Sequence, residues 1–334
     1  MAARRNRQFI KRTFAALAAI LAAVLLTNDA AAQDPAANYP NRAIRIVVPF
    51  AAGGGIDILA RLIGQKMSES LGQPVIVENK PGASGELATE FVKNAAPDGY
   101  TLLVAANGSM AVSPAINKKL SYSPSRDFAH IGLIASFPLV LLVNNALPIR
   151  TVAEFVAYAK ANPDKANYAG PSVAFQLVIE NLKLKTGMPL QRIPYNSSTE
   201  AATAVIAGTT IATLVDSGPV AGLIKSGQVR AIAITSAARS PEFPDVPTMA
   251  EAGFPDMNIS FWSGMFAPAS VPPSIVKKLE SELVRIIKLP DIQQRMTSMA
   301  VVPEGRPGAE TRRFIEGQIA VFADIARAAN ISKD

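Results

Sequence analysis

Residues Arg45–Arg61, RIVVPFAAGGGIDILAR, join an apolar strand to a helix through three consecutive glycines. Ile46 to Phe50 reads as a buried strand. Leu59, Ile63, Met67 and Leu71 then recur at helical spacing. A strand–loop–helix unit of this kind is stable only where its strand has neighbours and its helix covers a sheet face. The chain must therefore supply more such units, and it does.

Strands are expected at Ile44–Pro49, Val75–Val77 and Tyr100–Ala105, with helices at Asp57–Leu71 and Glu86–Ala96 between them. A second series runs Thr151–Ala161 helix, Ala166–Ala169 strand, Phe175–Thr186 helix, Leu190–Pro194 strand, Glu200–Ile206 helix, Ile211–Val215 strand, Pro219–Lys225 helix and Val229–Thr235 strand. Thr151 with Glu154, and Thr248 with Glu251, have capping-box spacing. A strand at Phe261–Pro268 and helices at Pro273–Lys288 and about Ala309–Asn330 close the chain. The class is α/β, with mostly parallel sheets. Two runs, Ile131–Val143 and Arg230–Thr235, read as crossings between lobes. The expected organisation is one discontinuous lobe of residues 38–136 plus 238–334, a second lobe of residues 137–237, and a ligand cleft between them.

The first 32 residues read as an export signal. Arg4, Arg5, Arg7, Lys11 and Arg12 form a basic start, Phe14–Leu26 is apolar but short, and Ala30-Ala31-Ala32 offers a cleavage site. Removing the signal leaves 28 basic and 25 acidic residues, a net charge of +3 rather than +7. The basicity is mostly targeting, so it argues for no nucleic-acid partner. With no cysteine, disulfides, thiolate metal sites and a lipid-anchor cysteine are all excluded. The expected location is the periplasm.

Catalytic constellations are scarce. The single histidine, His130, sits beside an apolar run and reads as structural. One histidine without cysteine makes a poor transition-metal site. No G-x-S-x-G or Walker A motif occurs, and the glycine run lacks the third glycine of a dinucleotide fingerprint, Ile58 standing in its place. Neither cofactor nor metal is expected, and the chain reads as a binder rather than an enzyme.

What remains are five small, polar loops that follow strands: Phe50–Asp57, Ala106–Ser109, Gly170–Ser172, Tyr195–Thr199 and Asp216–Pro219. Open α/β sheets bind ligands at such positions. The glycine run, lying just before a helix N-terminus, suits an anion. Asp57 in the first helical turn reads as a complement to the helix dipole.

These residues resemble the tripartite tricarboxylate transporter substrate-binding proteins of the Bug (TctC-like) family. The matching segments are Tyr39-Pro40, Ile46–Arg61, Asn79–Gly85, Ala96–Leu103, Tyr168-Ala169, Pro194-Tyr195, Thr235–Pro241, Pro244–Thr248 and Glu251–Gly253. The resemblance implies a type II periplasmic-binding-protein fold that closes like a flytrap on a small carboxylate and delivers it to a membrane permease. It implies a monomer whose site comprises Phe50, Ala52, Gly53, Gly54, Gly55, Asp57, Asn107, Ser109, Gly170, Pro171, Ser172, Tyr195, Ser197, Asp216 and Ser217. Hinges are expected near Ser136–Leu139 and Thr235–Ala238. Where the family carries Pro-Tyr-Lys-Gly this chain has Pro194-Tyr195-Asn196-Ser197, and its loop Gly170–Phe175 is shorter and more apolar. Both departures favour a monocarboxylate, an aromatic carboxylate or a longer, less polar dicarboxylate over citrate. Two alternatives share features with this reading: a binding protein serving a two-component sensor, and a secreted α/β hydrolase using His130 as its base.

Overall fold

The computed structural model describes residues 34–333. The signal and its cleavage site lie outside the described residues. Residues 40–333 build the fold. Its strands, in chain order, are β1 (Ile44–Val48), β2 (Val75–Asn79), β3 (Thr101–Ala106), β4 (Phe128–Phe137), β5 (Leu139–Val143), β6 (Asn167–Gly170), β7 (Gln191–Pro194), β8 (Ala212–Asp216), β9 (Arg230–Ile234), β10 (Phe261–Pro268) and β11 (Val302–Pro307). They form a six-stranded sheet ordered β11-β4-β10-β3-β1-β2 and a five-stranded sheet ordered β7-β6-β8-β5-β9.

The chain enters the smaller sheet at Pro138. The apolar run Ile131–Val143 is two strands: β4 pairs with β10 and β11 in the large sheet, and β5 with β8 and β9 in the small one. Proline has no N–H to continue a ladder and fixes its own φ, so the run breaks there. β9 ends the smaller sheet, and the chain returns to the large one at β10.

The expectation of mostly parallel sheets is corrected. The pairs β1–β2, β1–β3, β6–β7 and β6–β8 are parallel. Every pairing made by β4, β5, β9, β10 or β11 is antiparallel. Helical crossovers impose parallel pairing only on the strands they join. The strands that carry the chain between sheets are free of that constraint.

Periodicity placed the long helices. In Gly55–Leu71 the buried residues include Leu59, Ile63 and Met67, which cover the large sheet. In Pro273–Ile287 they are Ile275, Leu279, Leu283, Ile286 and Ile287. Thr151 and Glu154 form a complete capping box at the start of helix Val152–Ala161. Thr248 and Glu251 exchange the same pair of hydrogen bonds, at 2.7 and 3.1 Å, yet only turns follow. The box there closes a loop between β9 and β10, with Gly253 at φ +94° ending any helical course. His130 is buried opposite Phe266, 5.4 Å from its ring edge-on. Burial, with Arg312 nearby, pushes its pKa down to about 4, so it is neutral at ordinary pH.

Candidate functional site

A cavity of about 580 Å³ opens between the C-terminal loops of the two sheets. The large-sheet side contributes Phe50 and Gly54–Ile56 after β1, Ser84, Ala106–Gly108 after β3, and Phe137 at the end of β4. The small-sheet side contributes Ser172, Ala174 and Phe175 after β6, and Asp216, Gly218 and Pro219 after β8. Phe261 and Trp262 of β10 and the segment Met299–Val301 complete it. The volume lies in the usual range for a small-molecule site.

Three helices begin at this cavity: Gly55–Leu71, Val173–Thr186 and Ser217–Lys225. None of the three has a side chain capping its first turn. By contrast the helices capped by Thr151 and Ser197 begin at residues outside the lining. Uncapped N-termini keep unpaired N–H groups and a partial positive charge. Asn107 adds a donor, because its Nδ2 is buried without a hydrogen-bond partner. Among the described residues no lysine, arginine or histidine lines the cavity. The arrangement thus offers an anion dipoles and amides rather than a counter-charge. The walls are apolar: Phe175 and Phe261 lie 4.7 Å apart, ring centre to ring centre, and Phe50, Phe137 and Trp262 extend the surface.

Of the residues marked from the sequence, Phe50, Gly54, Gly55, Asn107, Ser172 and Asp216 come together in this cavity. The others stand around it. Asp57 is 2 % exposed. Its carboxylate accepts from the Gly53 N–H at 2.9 Å, Arg61 Nε at 3.0 Å and Asn79 Nδ2 at 2.8 Å. Asn79 also donates to the Phe50 carbonyl at 2.9 Å, so Asp57 and Asn79 together hold the glycine loop from behind. Burial opposes ionisation of Asp57, but the bonds from Arg61, Gly53 and Asn79 outweigh it and hold the pKa below the usual aspartate value. Ala52 and Gly53 are exposed at the loop's tip. Gly53 needs its glycine, having φ +83°.

Ser109 is buried, its Oγ unpartnered, and its carbonyl accepts from the Tyr122 hydroxyl at 2.7 Å. Gly170 accepts from Arg192 Nη2 at 2.9 Å, and a Cβ there would lie 2.6 Å from Arg192 Nε. Pro171 follows it, outside the lining. Tyr195 packs against the small-sheet core. Ser197 accepts from the Glu200 N–H at 3.1 Å as a helix cap. Ser217 is buried, its N–H donating to the Pro138 carbonyl at 3.1 Å. Asn196, where the family carries lysine, is exposed and bonded to Glu200 at 3.0 Å, outside the lining.

Sequence reasoning missed the aromatic wall of Phe137, Phe261 and Trp262, the contribution of Ser84, and the segment Met299–Val301. Phe261 and Trp262 lie in a strand that reads as ordinary core, and nothing local distinguishes a core aromatic from one beside a cavity.

Residues 59–331 match the family described as the tripartite tricarboxylate transporter family receptor. The chain belongs to this family. Three solved structures of similar proteins agree with the assignment. An R. palustris protein with adipate is 30 % identical, with TM-score 0.78, the match covering 88 % of this chain and 99 % of that one. MatC from Rhodopseudomonas palustris with bound malate is 32 % identical, with TM-score 0.74, covering 86 % and 99 %. The periplasmic binding protein BugD is 32 % identical, with TM-score 0.74, covering 89 % and 100 %. This chain is therefore a family receptor with the two-lobed α/β fold of periplasmic binding proteins, and not an enzyme. The hydrolase alternative falls with that assignment. Among the described residues no helix is long and apolar enough to cross a membrane.

Proposed function

We propose that this family receptor captures a small carboxylate in the 580 Å³ cavity and delivers it to the permease of a tripartite tricarboxylate-type transporter. The carrying observation is the meeting of three uncapped helix N-termini at a cavity with aromatic walls and no cationic side chain. The bound adipate and malate of the two R. palustris structures support the ligand class. The ligand is held at its carboxylate by the N–H groups of Gly55 and Ile56 and by Asn107, with its body against Phe175 and Phe261. Absence of a counter-charge makes a triply charged ligand costly to desolvate, so a less polar carboxylate is preferred to citrate.

The two sheets are the cores of lobes 38–136 plus 238–334 and 137–237, and the protein acts as a periplasmic monomer after its signal is removed. Residues drawn from both sheets line the cavity, so a ligand touching both stabilises the closed arrangement by the contacts made only there. Bending is assigned to Ser136–Leu139 and Thr235–Ala238. The permease reads the closed form.

A melting screen of the exported protein against carboxylic acids tests this. A ligand present at about 100 times its dissociation constant raises stability by about 2.7 kcal/mol. Adipate-like and aromatic carboxylates are expected to outperform citrate. Citrate as the strongest stabiliser would refute the ligand class proposed.

A further inference from the structure

Among the described residues, Asp216 is the one ionisable side chain that lines the cavity. It ends β8 and stands at the N-cap of helix Ser217–Lys225. An aspartate in that position ordinarily turns its carboxylate back onto the helix N–H groups. This one makes no such bond. Among the described residues its side chain meets the Ser198 hydroxyl at 3.3 Å and its own N–H, and it makes no ion pair. A carboxylate has room for about four hydrogen bonds, so most of its accepting capacity is unused.

The elements around it bring no charge to bear. Leu139 of β5 lies opposite it in register, and β6 flanks β8 on the other side. On the helix starting at Ser198, Glu200 is bonded to Asn196 at 3.0 Å. Arg192 of β7 donates to Gly170 at 2.9 Å. Lys225 of the adjoining helix pairs with Glu242. The other polar side chains of the lining can all donate a hydrogen bond: the Asn107 amide, Trp262 Nε1 and the Ser84 and Ser172 hydroxyls, beside the helix N–H groups. An acceptor among donors, in a cavity suited to an anion, calls for a proton from somewhere.

We infer that Asp216 receives the second polar end of a bifunctional carboxylate through a hydrogen bond whose proton the ligand brings, as an ammonium or hydroxyl, or that a second carboxylate takes up on binding. This rests on the carboxylate reading of the cavity and adds what the other end of the ligand must be. Burial pushes the Asp216 carboxyl up to about 6, against the opposing pull of Ser198 and its own N–H. Below that pH Asp216 carries the proton and donates to a second carboxylate. Above it, a dianionic ligand binds only with uptake of a proton, so its affinity falls up to about tenfold per pH unit. A ligand ending in an ammonium meets the ionised carboxylate instead, and its affinity rises through the same range.

Titration calorimetry of the exported protein with adipate, 6-aminohexanoate and hexanoate, at about pH 5 and about pH 8, separates the possibilities. Adipate is expected to weaken at the higher pH, 6-aminohexanoate to strengthen, and hexanoate, lacking a second polar end, to change least. Asp216→Asn keeps size and removes the charge. It is expected to cost 6-aminohexanoate at least about tenfold at the higher pH and to abolish the pH dependence of adipate. Ser198→Ala leaves the carboxyl in place but removes the donor that favours its ionised form, and should move the adipate midpoint upward. If hexanoate binds while both variants leave every ratio and pH dependence unchanged, Asp216 does not meet the ligand and the carboxylate reading stands without it. If none of the three binds, the carboxylate reading itself falls and this inference falls with it.

Discussion

Thr235 and Leu139 bind the two inter-lobe crossings to one another. The Thr235 N–H donates to the Leu139 carbonyl at 2.9 Å, and the Leu139 N–H donates to Thr235 Oγ1 at 3.0 Å. Both residues are buried. Thr235→Val keeps the shape but strands the Leu139 N–H without an acceptor, which costs about 1–3 kcal/mol. Thr235→Ser retains the hydroxyl and should recover most of that loss. Urea unfolding of the two variants beside the parent measures it.

Behind the glycine loop, Asp57 gathers three donors into one carboxylate. Asp57→Ala leaves the Gly53 N–H and the Asn79 amide without that acceptor and frees the loop that lines the cavity. We expect a stability loss of about 1–3 kcal/mol together with weaker ligand binding. Gly53→Ala attacks the same loop through its φ of +83° and should cost about 1–2 kcal/mol. Chemical denaturation and calorimetry on each variant report the two losses separately.

Asn107 separates binding from stability. Its Nδ2 is buried in the cavity wall with no partner among the described residues, which leaves it available to a ligand. If that amide donates to the carboxylate, Asn107→Leu weakens binding by about 1–3 kcal/mol while leaving the melting temperature of the unliganded protein unchanged or higher. A variant that binds normally would remove Asn107 from the site.

His130 gives stability a pH dependence of known sign. Its folded pKa, about 4, lies below the ordinary histidine value of 6.5, because burial and Arg312 disfavour the charged ring, against the pull of Glu316 and a Phe128 backbone bond. Between those values the unfolded chain binds the proton more readily. The contribution is complete above about pH 6.5 and is lost as pH falls towards about 4, by at most roughly 3 kcal/mol. Asp57, whose pKa is lowered, adds a second loss beginning below the ordinary aspartate value of 3.8. His130→Gln should flatten the upper of the two declines in a series of urea unfolding curves across that range.

The strand–helix alternation was legible because burial writes itself into period: Leu59, Ile63 and Met67 face the sheet where spacing put them. The crossing at Ile131–Val143 was legible through its proline. Strand direction was not, since β4, β5 and β10 look alike whichever way their neighbours run. β11 was missed because Val302–Pro307, VPEGRP, carries two prolines, a glycine and two charges. It pairs with β4 along the sheet's edge with a break in register, where prolines are tolerated. Within the site, loops after strands were found by their small polar residues. The aromatic side of the cavity was not, because Phe261, Trp262 and Val301 come together only through the return of the chain from the smaller lobe.

On the function proposed above, the cavity recognises a carboxylate group through N–H donors and without a counter-charge. Calorimetry comparing hexanoate with its methyl ester and its primary amide, on the same exported protein, tests it most directly. One site is expected that binds the acid and discriminates against both neutral analogues by at least about tenfold, since charge-assisted bonds exceed neutral ones. Equal binding of acid, ester and amide would contradict it.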